Sequence, residues 1–171
     1  MKTLIKAAVA VTVATGLFAA PAFAANSASA PFTAKAKILK PLTLVKATDL
    51  DFGTITMGAA LVSSNVVVGR SGGASTSCGA NLICSAPTAA SFDVTGVALQ
   101  QLNIALSGVP ATLVNTVDAT KSVAFSVDPD TSVTLSSAGL GSFDIGGSIT
   151  VASTTADGDY SGVVNVTVSY Q

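Results

Sequence analysis

The chain contains no histidine, no tryptophan and no glutamate, so all nine of its acidic residues are aspartate. Without histidine it lacks the commonest general acid-base group near neutral pH. Structural zinc is disfavoured as well, because such sites want four nitrogen or sulfur ligands and the chain offers two thiols, Cys78 and Cys84. Charge is scarce, at 10% of residues, where an ordinary soluble domain carries about 25%. The net charge of −1 moves to −3 once Lys2 and Lys6 of the leader are set aside, which leaves no basic patch for nucleic acid. Long apolar runs are absent too: the longest, Ala7 to Ala20, ends before Pro21, whereas a membrane-crossing helix needs about 20 residues.

That short run has another meaning. Lys2 and Lys6 supply a positive start, Ala7 to Ala20 an apolar middle, and Ala22-Phe23-Ala24 a small-residue cleavage site. Residues 1–24 read as a secretory signal peptide rather than a membrane anchor, with cleavage before Ala25 and residues 25–171 as a single domain. Export by the general secretory route places the product in the periplasm, then at the cell surface or outside the cell. In that oxidising setting Cys78 and Cys84 are expected to form a disulfide that pins a Gly-Ser-rich loop from Gly69 to Pro87. A redox-active pair is the rival reading, and the C-x-x-C spacing it wants is missing.

What is abundant is alternation. Apolar residues make up 49% of the chain, and beyond Ala25 they recur mostly at every second position. Phe32, Ala34, Ala36 and Ile38 predict a half-buried strand, and further strands are predicted at Leu42 and Leu44, at Leu50 and Phe52, and at Val66 to Val68. The pattern resumes at Phe92 and Val94, Leu102 to Leu106, Val123 to Val127, Val133 and Leu135, Phe143 and Ile145, and Ile149 and Val151. Gly96, Gly108 with Pro110, Asp128-Pro129-Asp130, Gly139, Gly141 and Gly146-Gly147 read as the turns between them. The clearest strand is the last, with Val164, Val166, Val168 and Tyr170 on one face. About 8–10 short strands at this spacing predict an all-β fold, an antiparallel sandwich or barrel.

A Val-rich last strand leaves a neighbouring edge in need of cover. The segment from Ala25 to Leu39 is too long for one ordinary strand. Residues Ala25 to Thr33, with Ala28, Ala30 and Phe32 facing one way, are therefore expected to form an extended arm that inserts beside the last strand of a neighbouring subunit. The alternative is an ordinary edge strand with a frayed end.

Pro41-Leu-Thr-Leu44 followed by Leu50-Asp-Phe-Gly-Thr-Ile55, together with the closing Gly158-Asp-Tyr-Ser-Gly-Val-Val-Asn-Val-Thr-Val-Ser-Tyr-Gln171, resembles a secreted bacterial family, domain-of-unknown-function family 4402. More loosely, the Asp-Phe-Gly strand and the penultimate aromatic are similar to the chaperone-usher pilins and spore-coat-U-like proteins. That wider resemblance implies an immunoglobulin-like sandwich completed by a donor strand, with Val164, Val166, Val168 and Tyr170 as the strand that accepts it or binds a periplasmic chaperone. It also implies an usher and a homopolymer as partners. One departure stands out: the pilin disulfide usually ties an early strand to a later one, whereas Cys78 and Cys84 lie close together.

Enzyme chemistry finds little support. Asp128-Pro-Asp130 and Asp157-Gly-Asp159 are close carboxylate pairs, but the twelve-residue calcium loop with its closing Glu is absent, and they read as turns. Asp49 and Asp51, two apart on a strand, read as solvated charges rather than glycosidase carboxylates. No cofactor, metal or catalytic residue is assigned. The function expected is that of a pilin-like or coat-like structural subunit assembling by β-strand addition. The alternative is a monomeric binding module that presents the loop around Cys78 and Cys84.

Overall fold

The computed structural model describes residues 27–171. The expected signal peptide at 1–24, and Ala25 and Asn26 of the expected arm, lie outside the described residues. The chain separates into two units, Met1–Ala36 and Lys37–Gln171. In the first, residues 27–36 are exposed and carry no regular secondary structure. The strand predicted at Phe32 to Ile38 is therefore not formed: Phe32 is 89% exposed and Ile38 91%. The alternation is there, but a strand needs a partner for its backbone donors and acceptors, and among the described residues these pair with none.

The second unit is all β and antiparallel, with no helix among the described residues. Its strands are β1 (Thr43–Thr48), β2 (Thr54–Met57), β3 (Ser63–Val68), β4 (Ser77–Cys78), β5 (Leu82–Ser85), β6 (Ala90–Thr95) and β7 (Gln101–Ser107). They continue with β8 (Thr112–Asn115), β9 (Ser122–Pro129), β10 (Ser132–Thr134), β11 (Leu140–Ala152), β12 (Tyr160–Ser161) and β13 (Asn165–Tyr170). An eight-stranded sheet runs β1-β6-β11-β9-β8-β12, with β3 also on β11 and β4 on β3. A three-stranded sheet runs β10-β7-β13, and β2 pairs with β5 alone.

The thirteen strands outnumber the 8–10 expected because short ones were missed: β4 and β5 lie inside the predicted cysteine loop, and β2 and β8 carry weak alternation. The strand expected at Leu50 and Phe52 shrinks to a single bridge between Asp51 and Thr88. The two strands expected on either side of Gly146-Gly147 are one 13-residue strand, β11, longer than the usual range of about 3–10 residues. It pairs with β6 up to Ile145 and with β3 from Gly147 onward, so the glycines mark a change of partner rather than a hairpin. Crowding explains them: a Cβ on Gly146 would lie 2.5 Å from the Val68 carbonyl oxygen, and one on Gly147 2.8 Å from that of Ser126. Asp128 and Pro129 likewise end β9 instead of forming the whole of a turn.

One face of β11 organises the interior. Phe143 and Ile145 join Phe92, Val94, Leu102, Ile104 and Leu135 in one cluster, with Val166, Val168 and Tyr170 of β13 packed against it. Phe92 and Phe143, opposite each other across the β6–β11 ladder, stack at 5.3 Å. The three-stranded sheet thus lays its apolar face on one half of the large sheet, giving a sandwich-like arrangement. Ile149 and Val151 join Phe52, Leu61, Val66, Val68, Leu113 and Val123 in the second cluster, which Ile55, Leu82 and Cys84 of the β2–β5 pair cover.

Candidate functional site

The two smaller sheets cover opposite ends of the same face, and between them the face stays open. A cleft of about 1000 Å³ lies there. Its floor is Phe92, Phe125, Val127, Ile145, Ile149 and neighbouring apolar residues of the large sheet. One wall is the segment from Thr155 into the start of β13, including Val164 and Val166, and the other runs from Asp49 through β2. Among the described residues β13 pairs only with β7 and β2 only with β5, so each of these two strands keeps one edge without a partner.

Polar groups ring this apolar floor. Asp49, Asp51, Asp157 and Asp159 line the rim and are exposed, with Lys46 as the one cation among the lining residues. Lys46 is engaged already, pairing with Asp49 at 2.5 Å. The Asp51 carboxylate accepts the Gly53 N–H at 2.7 Å, shaping the entry to β2. The opposite rim is held by Asn115, which is only 6% exposed. Its Nδ2 donates to the Asp157 carbonyl at 3.2 Å, while its Oδ1 accepts the N–H groups of Val117 and Asp118 at 2.9 and 3.0 Å. Gly158, at φ +127°, passes so close that a Cβ would sit 2.6 Å from that Nδ2, and this conformation disfavours any side chain. In the adjoining β8–β9 turn the Thr120 hydroxyl and N–H hold the exposed Asp118 carboxyl below its ordinary pKa.

Cys78 and Cys84 form the expected disulfide. Its place differs from a loop staple: Cys78 is in β4, bonded through β3 to the large sheet, and Cys84 is in β5, which carries β2. The bond therefore fastens a wall of the cleft to its floor.

The four residues expected to accept a strand divide. Val164 and Val166 line the cleft, while Val168 and Tyr170, with Val166 beside them, pack against the adjacent cluster. Ala28, Ala30 and Phe32, expected as donor residues, are exposed. The carboxylate pairs have unlike surroundings. Arg70 Nη1 lies 2.5 Å from Asp130, and its Nε 3.3 Å from Asp128 without the alignment of a hydrogen bond, so Coulomb attraction holds the second contact. Among the described residues no three acidic or thiol side chains gather to hold a metal. Gly69-Arg-Ser-Gly-Gly73 has the spacing of a nucleophile elbow. Ser71 nevertheless sits in an exposed turn that no helix follows.

The profile of one family, described as Domain of unknown function (DUF4402), matches residues 42–170. The chain belongs to this family. No curated protein and no solved structure matches it. The DUF4402 region includes all thirteen strands, so it contains the floor and both walls of the cleft, while residues 27–41 lie outside it.

Proposed function

We propose that this protein is an exported structural subunit, pilin-like or coat-like, that assembles by β-strand addition, the cleft receiving an extended strand from a neighbouring subunit. The observation that carries this reading is the apolar-floored cleft lined by β2 and the start of β13, two strands that each keep an unpaired edge. A strand laid there would satisfy backbone groups on both sides and join the three-stranded and two-stranded sheets into one. The floor is already largely shielded, with Phe92, Ile145 and Ile149 at most 9% exposed, so the apolar gain comes from the side chains of the incoming strand, each contributing roughly 1.5–3 kcal/mol when fully buried. A contact of this kind uses different surfaces on the two copies, so it propagates head to tail unless it closes into a ring.

The reading is supported by the exposed, alternating segment ahead of β1, which pairs with no strand among the described residues and has the pattern of one. Before assembly an exported subunit needs its groove shielded, and a periplasmic chaperone that lends a strand, acting with an usher, fits that need. An immunoglobulin-like sandwich is the arrangement the added strand would complete. The test is electron microscopy and sedimentation of the processed protein beside a variant lacking Ser27 to Ile38. Filaments or higher multimers that disappear in a variant with unchanged circular dichroism are expected. Multimers that persist without the segment would sink the reading.

A further inference from the structure

The cleft and the exposed segment carry opposite charge, and the backbone narrows which residues of the segment fit. All nine aspartates lie at Asp49 or later, whereas Lys35, Lys37, Lys40 and Lys46 precede them. Beyond residue 24 only Arg70 and Lys121 add to those four lysines, so positive charge concentrates beside the exposed segment. The cleft rim has four carboxylates and one lysine, which Asp49 already neutralises. Among the described residues Asp157, Asp159 and Lys35 make no ion pair.

Proline sets the start of the pairing run. A strand between β13 and β2 must offer hydrogen bonds on both sides, and Pro31 has no N–H to give, so it is tolerated only ahead of the paired residues. From Phe32 to Ile38 the run is uninterrupted, with Phe32, Ala34, Ala36 and Ile38 on one face and Thr33, Lys35 and Lys37 on the other. Seven residues span about 23 Å, enough to run past the four residues of β2 and along β13 from its cleft-lining start at Asn165 and Val166.

Resting on the strand-addition reading, we infer that the occupant of the cleft is Phe32–Ile38 of a second copy of this chain, its apolar face on the floor and its lysines against the Asp157 and Asp159 rim. Ala28 and Ala30 then lie outside the paired strand. Lys37 gives up its bond to Gln100, made at 2.8 Å in an exposed position, for one to the partner's rim. Because the Lys40 carbonyl is held by Tyr170, only Leu39 separates the inserted strand from the body that donates it, so neighbouring copies abut.

The test uses the full processed chain. Deleting Ser27 to Ala30 is expected to leave multimers intact. Replacing Lys35 and Lys37 by Glu, or separately Asp157 and Asp159 by Lys, is expected to weaken assembly about tenfold, the scale of two exposed charge pairs turned repulsive. Combining both sets in one chain should restore it, since each arm again meets an opposite rim. Carbodiimide treatment should join Lys35 to Asp157 or Asp159 between copies. Multimers indifferent to either single set would overturn the inference while leaving strand addition standing. A cross-link confined within one chain would overturn the second-copy assignment. Failure of the unaltered protein to multimerise would remove both readings together.

Discussion

The hydroxyl of Tyr170 donates to the backbone carbonyl of Lys40 at 2.8 Å and accepts the Val97 N–H at 3.0 Å, tying the end of β13 to the entry of β1. Its ring packs into the cluster around Phe92 and Phe143, so the side chain is apolar along its body and bonded at its tip. Tyr170→Phe keeps the ring and removes both bonds. The Val97 N–H is partly buried, and leaving it unpaired costs about 1–3 kcal/mol. Urea unfolding should show that loss, and an unchanged midpoint would mean the hydroxyl is as well served by water.

Gly146 and Gly147 supply the second prediction. With neighbouring backbone oxygens 2.5 and 2.8 Å from their would-be Cβ atoms, Gly146→Ala should force β11 away from β3, and overpacking of this kind costs about 1–3 kcal/mol. Thermal unfolding decides it. An indifferent variant would show that β3 and β11 part at Gly146 without cost, and would count against the close approach as the reason for glycine there.

Those glycines also mark where the sequence stops being legible. Alternation located most long strands and the buried face of β13, because the pleat forces every second side chain to one side. Alternation says nothing about what lies beside a strand. A glycine pair therefore read as a turn, although crowding by β3 and β9 required it. For the same reason Phe32 to Ile38 read as half-buried, and the cleft could not be foreseen, since it depends on which edges find no partner. Arg70 carries no signal in the sequence, because the carboxylates it serves, Asp128 and Asp130, are far along the chain. The separation of lysines from aspartates is present in the sequence, although net charge conceals it.

Arg70 yields the third prediction. Its side chain is 18% exposed, with Asp130 at 25% and Asp128 at 40%. Arg70→Met would leave two half-screened carboxylates facing each other without a cation. Losing one partner of a fully buried pair costs about 3–5 kcal/mol; this partial exposure reduces the expected loss to about 1–3 kcal/mol. Arg70→Lys should recover only part of it, because an ammonium cannot reach both aspartates as a planar guanidinium does. Full recovery in urea unfolding would show that charge alone matters here.

The disulfide separates overall stability from the shape of the cleft. Cross-linking residues six apart restrains the unfolded chain by about 2 kcal/mol on the entropy model. A Cys78→Ala, Cys84→Ala double variant should lose roughly that amount in urea. The larger effect should be local, because β2 holds to the rest of the fold through β5, the Asp51–Thr88 bridge and the apolar contacts of Ile55 and Leu82. Without the cross-link, amide exchange in β2 and β5 should rise well before that in β11, whose backbone is paired on both edges. A wall free to move presents no fixed edge to an incoming strand, so multimer formation should fall by more than the stability loss accounts for. Equal exchange in β5 of the oxidised and cysteine-free proteins would show that packing alone fixes the wall, and assembly should then be insensitive to reduction.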